Sequence, residues 1–194
     1  MPKRNSIRYL TAPQKKQLLK TLADSRKAWR DYFFCDLALN TGLRLAEALS
    51  LNIGDVHNGH AARESIEIRG KGDRIRSIPL NQSVRGHIDR YVARRKRIDK
   101  EFSLTNPLFL SRNNRRISHR GMQLSFNKWV AVSGLEGRFS PHCLRHSVAM
   151  ELLRKTNNIR KIQAFLGHRY ISTTQVYTHV SQEDLIECAA LLAD

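Results

Sequence analysis

Arg44, Lys71, His142, Arg145, His168 and Tyr177 follow one another along the chain, and the string from Gly167 to Tyr177 closes the series. Two arginines, two histidines, a lysine and a tyrosine make a set able to attack a phosphodiester without a metal. Guanidinium groups hold the phosphate oxygens, imidazole and ammonium groups move protons, and a phenol oxygen is the nucleophile. Taken singly, each residue has a plainer role. Tyr177 would be packing, Lys71 a solvated turn residue, His142 structural, and Arg44 a surface arginine paired with Glu47 one turn later. Their joint occurrence is the signal.

The elements that must position these groups are mostly helices. Thr11-Ala12-Pro13-Gln14 reads as a helix start, with Thr11 as N-cap and Gln14 at the capping-box position. Trp29, Tyr32, Phe33 and Leu37 recur at helical spacing, in a helix that ends near Asn40 to Gly42. A third helix begins there and carries Arg44, Glu47 and Ala48 on one side, Leu45 and Leu49 on the other. Over about 64–80 the period changes from helix to strand. Two alternating runs flank Gly70-Lys71-Gly72-Asp73, the signature of a hairpin with Lys71 at its tip.

Helices then resume around Val84, Ile88, Tyr91 and Val92, with Arg85, Arg90, Arg94 and Arg95 on the outer faces. Further helices are marked by Met122, Phe126, Trp129 and Val130, and by Leu144, Val148 and Leu152 after Pro141. A short one runs from Ile159 to Leu166, closed by Gly167. Leu185, Ile186, Ala189 and Leu192 stripe a last helix over 183–192. The expected fold is α+β, mainly α-helical, with a small antiparallel sheet. Residues 1–10 read as a loose basic arm and 11–194 as a single domain.

Composition names the partner. The 194 residues carry a formal net charge of +17, with 41% hydrophobic and 26% charged residues. A folded chain with that excess suits a polyanion, because neutralising phosphates releases condensed counterions. Cys35, Cys143 and Cys188 lie far apart with no Cys-x-x-Cys pair, which excludes a zinc ribbon and fits a reducing compartment. His142 and His146 stand at i, i+4, but the glutamate of His-Glu-x-x-His is missing and no third ligand is apparent, so no metal is expected. Gly70-Lys71-Gly72 is not a P-loop, and no cofactor is expected. Neither a signal peptide nor a run of membrane-spanning length is visible, which points to a cytoplasmic, nucleoid-associated protein.

Gly42-Leu43-Arg44-Leu45-Ala46-Glu47, the Gly70-Lys71-Gly72 hairpin, His142-Cys143-Leu144-Arg145-His146 and Gly167-His168 through Tyr177 resemble the tyrosine recombinases. That family contains phage integrases, chromosome-dimer resolving recombinases and DNA-inversion switches. The resemblance runs from about Thr11 to the C-terminus. It implies that Tyr177 attacks a DNA phosphate, giving a 3′-phosphotyrosyl link and a free 5′-hydroxyl. Arg44 and Arg145 would clamp the phosphate, Lys71 protonate the leaving oxygen, His142 assist proton removal from Tyr177, and His168 donate to the phosphate, with Glu47 orienting Arg44 or a histidine. Arg85, Arg90, Arg94, Arg95 and Arg120 are candidate DNA contacts.

The same resemblance implies double-stranded DNA as partner, a homotetramer assembled on it, accessory DNA-bending proteins, and a segment at 183–192 that docks on a neighbouring protomer. Most family members carry a separate helical core-binding domain ahead of the first arginine motif. Here Arg44 lies close to Met1, so the chain is expected to be either a catalytic-domain fragment or a naturally short form, with Met1 favouring the short form. Three other readings account for parts of the pattern: a type IB topoisomerase, a DNA-binding regulator that keeps the fold without its chemistry, and a basic RNA-binding or ribosome-associated protein, which explains the charge but not the motif order.

Overall fold

The computed structural model describes residues 8–69 and 75–167. Among these described residues, eight helices and two strands follow in the order α1 (Ala12–Ala23), α2 (Trp29–Thr41), α3 (Leu45–Ser50), α4 (Ile53–Val56), β1 (Ser65–Arg69), β2 (Ile75–Pro79), α5 (Gln82–Ile98), α6 (His119–Val132), α7 (His142–Thr156) and α8 (Ile159–Leu166).

Helix α1 starts as its sequence dictates. The Thr11 hydroxyl accepts from the Gln14 amide at 3.4 Å, and the Gln14 side chain accepts from the Thr11 amide at 2.9 Å. Helix α2 is the centre of the molecule and packs against α1, α5 and α7. It buries residues around most of its circumference, among them Phe33, Phe34, Leu37 and Ala38. A helix buried on most sides belongs inside a core, and its buried Asp31 and Asp36 are held by Arg30 and His87. Phe33 stacks on Tyr91 of α5, with ring centroids 4.0 Å apart and planes 19° from parallel. The Tyr91 hydroxyl donates to the Leu108 carbonyl at 2.9 Å, so its polar end is satisfied too.

Strands β1 and β2 pair antiparallel with Ile66 opposite Ile78 and Ile68 opposite Arg76. Ile66, Ile68 and Ile78 are buried while Ile75 faces solvent, the alternation of a half-buried sheet.

Some expectations need correction. Arg44 is not inside α3. It is the N-cap, with extended backbone at φ −68° and ψ 152°, and Glu47 occupies the third helical position behind it. Ala48 is buried together with Leu49, so it does not share a solvent face with Arg44. The four-residue α4 was not anticipated, because one turn is too short to show a period. Nor is the N-terminal segment loose at its described end. Leu10 is buried, and its amide donates to the Ser147 hydroxyl of α7 at 2.8 Å. The helix expected over 183–192, with Leu185, Ile186, Ala189 and Leu192, lies outside the described residues. Among the described residues no helix is long and apolar enough to cross a membrane.

Candidate active site

The site forms where the end of α2, the start of α3, the start of α7 and the end of α8 meet. Helix α2 ends on Gly42, whose φ of +62° reverses the chain into Leu43 and Arg44. A Cβ on Gly42 would fall 2.5 Å from a Leu166 methyl, so a bare backbone is required for α8 to close on this turn. Helix α8 ends on a second left-handed glycine, Gly167, at φ +68°.

Arg145 lies on the first turn of α7 and is 5% exposed. Its Nη1 donates to the Gly42 carbonyl at 2.6 Å and its Nη2 to the Leu166 carbonyl at 2.7 Å. Both carbonyls belong to helix ends whose acceptors lack an intrahelical donor, so one guanidinium ties two helix termini together. Arg44 reaches the same place from the other side. Its Nη1 donates to Glu47 Oε1 at 2.7 Å, and its Nη2 lies 3.5 Å from the Gly167 carbonyl. The two arginines read from the sequence as a phosphate clamp therefore converge on adjacent carbonyls of α8. His142 opens α7 one turn ahead of Arg145 and is exposed. It borders a cleft of about 660 Å³ whose walls include Arg8, Gln123, Asn127, Arg138 and His146.

Among the described residues, Glu47 is the carboxylate that Arg44 and Arg76 share. It accepts from the Arg44 amide at 2.8 Å as well as from the Arg44 side chain, and from Arg76 Nη1 and Nη2 at 2.9 and 2.8 Å. Burial alone would push its carboxyl up, but the Arg76 and Arg44 hydrogen bonds outweigh that and hold it at about 2. The His146 imidazole is pushed below its ordinary value by burial first, then by His142 and Arg145 beside it. Burial pushes the Cys143 thiol up to about 12, which leaves it inert as a nucleophile. Among the described residues no three His, Cys, Asp or Glu side chains gather as a metal would need.

Arg76 is the residue that the sequence reading missed. The signal was present: it stands two residues from buried Ile78 on one strand face, where an arginine must find an anion. Lys71, His168 and Tyr177 lie outside the described residues.

The five candidate DNA arginines divide. Arg90 on α5 and Arg120 on α6 are exposed. Arg85 is half-buried and 3.9 Å from Glu64, and Arg94 lies over the Trp29 ring at 4.8 Å. Arg95 is the correction. It is 1% exposed, paired with Asp99 at 2.7 Å and bonded through Nη1 to the carbonyls of Pro107 and Leu108. It continues the buried stripe of Ile88 and Tyr91, and its charge is spent inside the protein.

Residues 8–184 match the model of the Phage integrase family. The chain is 34% identical over 176 residues to "Tyrosine recombinase XerC" of Actinobacillus pleuropneumoniae, covering 91% of this chain and 56% of that protein. It is 36% identical over 169 residues to the protein of the same name from Haemophilus ducreyi, covering 87% and 54%. The chain thus spans little more than half the length of these relatives. Among solved structures, the XerA recombinase superposes with a TM-score of 0.77 at 28% identity, covering 96% of this chain and 65% of that one. The catalytic domain of bacteriophage HP1 integrase gives 0.63 at 21% identity over 95% and 94%, a likeness of fold. A family match over residues 8–184, and relatives at 34–36% identity over most of this chain, place it in the phage integrase family, the tyrosine recombinases.

Proposed function

We propose that this chain is the catalytic domain of a site-specific DNA recombinase that cuts and rejoins duplex DNA through a 3′-phosphotyrosyl link on Tyr177. The observation that carries the reading is the convergence of Arg44 and Arg145 on the end of α8. Directly after that point in sequence come His168 and the segment to Tyr177. Two guanidiniums a helix-end apart suit a tetrahedral phosphate, whose non-bridging oxygens take paired N–H donors.

In this reading the Tyr177 oxygen attacks the scissile phosphorus and the bond from phosphorus to the 5′ oxygen breaks. Lys71 delivers a proton to that leaving oxygen, and His142 takes the phenolic proton, as a group with an ordinary pKa of about 10 requires. His168 donates to a non-bridging oxygen. The energy of the phosphodiester stays in the phosphotyrosyl link, so a 5′-hydroxyl from a partner duplex reverses the step without an external energy source. Glu47 orients Arg44.

Around this chemistry the +17 charge supplies sequence-independent grip on duplex DNA. Arg90 and Arg120 are the freest to contact phosphates or bases, with Arg85 and Arg94 at the margin. A homotetramer on DNA, a docking role for 183–192, accessory DNA-bending proteins and nucleoid association complete the proposal. Support for DNA as substrate comes from a neighbour of the same fold, the XerH recombinase "bound to difH substrate". The test is a nicked duplex that traps the covalent intermediate: a denaturing gel shows a protein–DNA adduct if the reading holds, and free strands alone if it does not.

A further inference from the structure

Arg76 has no part in the phosphate clamp, yet it completes the cluster around Glu47. Both of its Nη atoms donate to Glu47, at 2.9 and 2.8 Å, whereas Arg44 gives that carboxylate one side-chain bond at 2.7 Å. The Arg44 side chain is 42% exposed, against 18% for Arg76 and 13% for Glu47. Arg44 is therefore the outward partner and Arg76 the inward one. Arg76 also leans on the end of α8. A Cβ on Gly167 would fall 2.6 Å from its Cδ and 2.8 Å from its Nε, so only a glycine lets the two meet. That Nε is buried and has no hydrogen-bond partner among the described residues. An arginine stem packed this tightly is not free to turn.

We propose that Arg76 is a positioning residue that serves as the standing counter-ion of Glu47, so that Arg44 can turn to a DNA phosphate without stranding a carboxylate. The inference rests on the recombinase reading. Glu47 Oε1 is shared between Arg44 and Arg76. A half-buried carboxylate that lost its only cation would resist the loss, and Arg44 would be held on Glu47 rather than on the phosphate. Arg76 removes that penalty in advance. Arg44 keeps the backbone bond from its amide to Glu47, which fixes the cap, and its guanidinium is left to exchange partners.

The test is the sign of the coupling between two substitutions. Arg76→Ala leaves Arg44 as the only arginine on Glu47 among the described residues and slows single-turnover cleavage of a nicked duplex by about tenfold or more. Adding Glu47→Gln removes the charge that holds Arg44, and the double variant cleaves about tenfold faster than Arg76→Ala alone. A mere brace predicts a double variant as slow as the single or slower, and that result overturns the proposal. Arg76→Gln removes the charge while filling the space beside Gly167, and it carries the same comparison where Arg76→Ala lacks a folded state. Wild-type protein is the control for chemistry. If it forms no adduct, the recombinase reading fails, and the counter-ion role is decided on DNA-free protein by nitrogen NMR of the Arg44 guanidinium. Rotation about its Cζ–Nε bond several-fold slower in Arg76→Ala than in wild type upholds the role. An unchanged rate overturns it.

Discussion

Arg145 Nη1 donates to the Gly42 carbonyl at 2.6 Å, across the junction between the start of α7 and the end of α2. Because Nη2 takes the Leu166 carbonyl, the guanidinium that would hold a phosphate also assembles the place where the phosphate would sit.

Arg145→Ala is therefore expected to fail twice. Cleavage slows by about a hundredfold or more, the usual cost of one charge-stabilising donor. Stability falls by about 2–4 kcal/mol, as two helix-end carbonyls lose their partner. Single-turnover rates and denaturant unfolding measure the two losses separately. A rate within a few-fold of wild type would contradict the clamp.

Gly42→Ala should be destabilising although it adds a single methyl. The residue sits at φ +62°, and the new Cβ would lie 2.5 Å from the Leu166 methyl. The left-handed conformation alone costs about 1–2 kcal/mol for a residue with a Cβ, and Leu166 is fully buried with no room to retreat. Thermal unfolding tests this, and a melting temperature equal to wild type would show that α8 does not close on the turn as described.

The acid limb of stability should report Glu47. Its folded-state value, about 2, is below its ordinary 4.5. A depressed carboxylate gives stability that is fully present above the ordinary value and is lost as pH falls towards the folded value. On the order of 3 kcal/mol is at stake between about pH 4.5 and 2. Glu47→Gln should lower stability at neutral pH and flatten the dependence in that window. Denaturant titrations at a series of pH values measure it; parallel curves for the two proteins would refute the pairing.

Arg120→Ala and Arg95→Ala should differ in kind. Losing exposed Arg120 leaves folding unchanged and reduces the slope of log affinity against log salt by about 1, the mark of one lost phosphate contact. Losing Arg95 strands the buried Asp99 pair and costs about 3–5 kcal/mol of stability, with the salt slope intact in protein that remains folded. Binding isotherms at several salt concentrations, alongside unfolding curves, separate the two outcomes.

What the sequence shows and hides follows the range of the interactions involved. The Thr11–Gln14 box, the αL glycines at 42 and 167, and the alternation of Ile66, Ile68 and Ile78 are local, and each was legible from its own neighbours. The docking of Leu10 on Ser147 and the grip of Arg145 on Gly42 join residues more than a hundred positions apart, and no local pattern contains them. Arg95 and Arg76 form a middle case. One lies on the apolar stripe of its helix and the other on the buried face of its strand. A charge on a buried face announces an internal partner, and weighing that face before the charge would have separated Arg95 from the DNA-facing arginines and brought Arg76 into the site.

The central claim is that Tyr177 is the nucleophile. The most direct measurement incubates wild-type protein and Tyr177→Phe with the same nicked duplex, then compares denaturing gels with binding isotherms. The account predicts a covalent adduct with wild type alone and nearly equal DNA affinity for both, since phosphate contacts supply most of the binding. An adduct formed by the phenylalanine variant would contradict it.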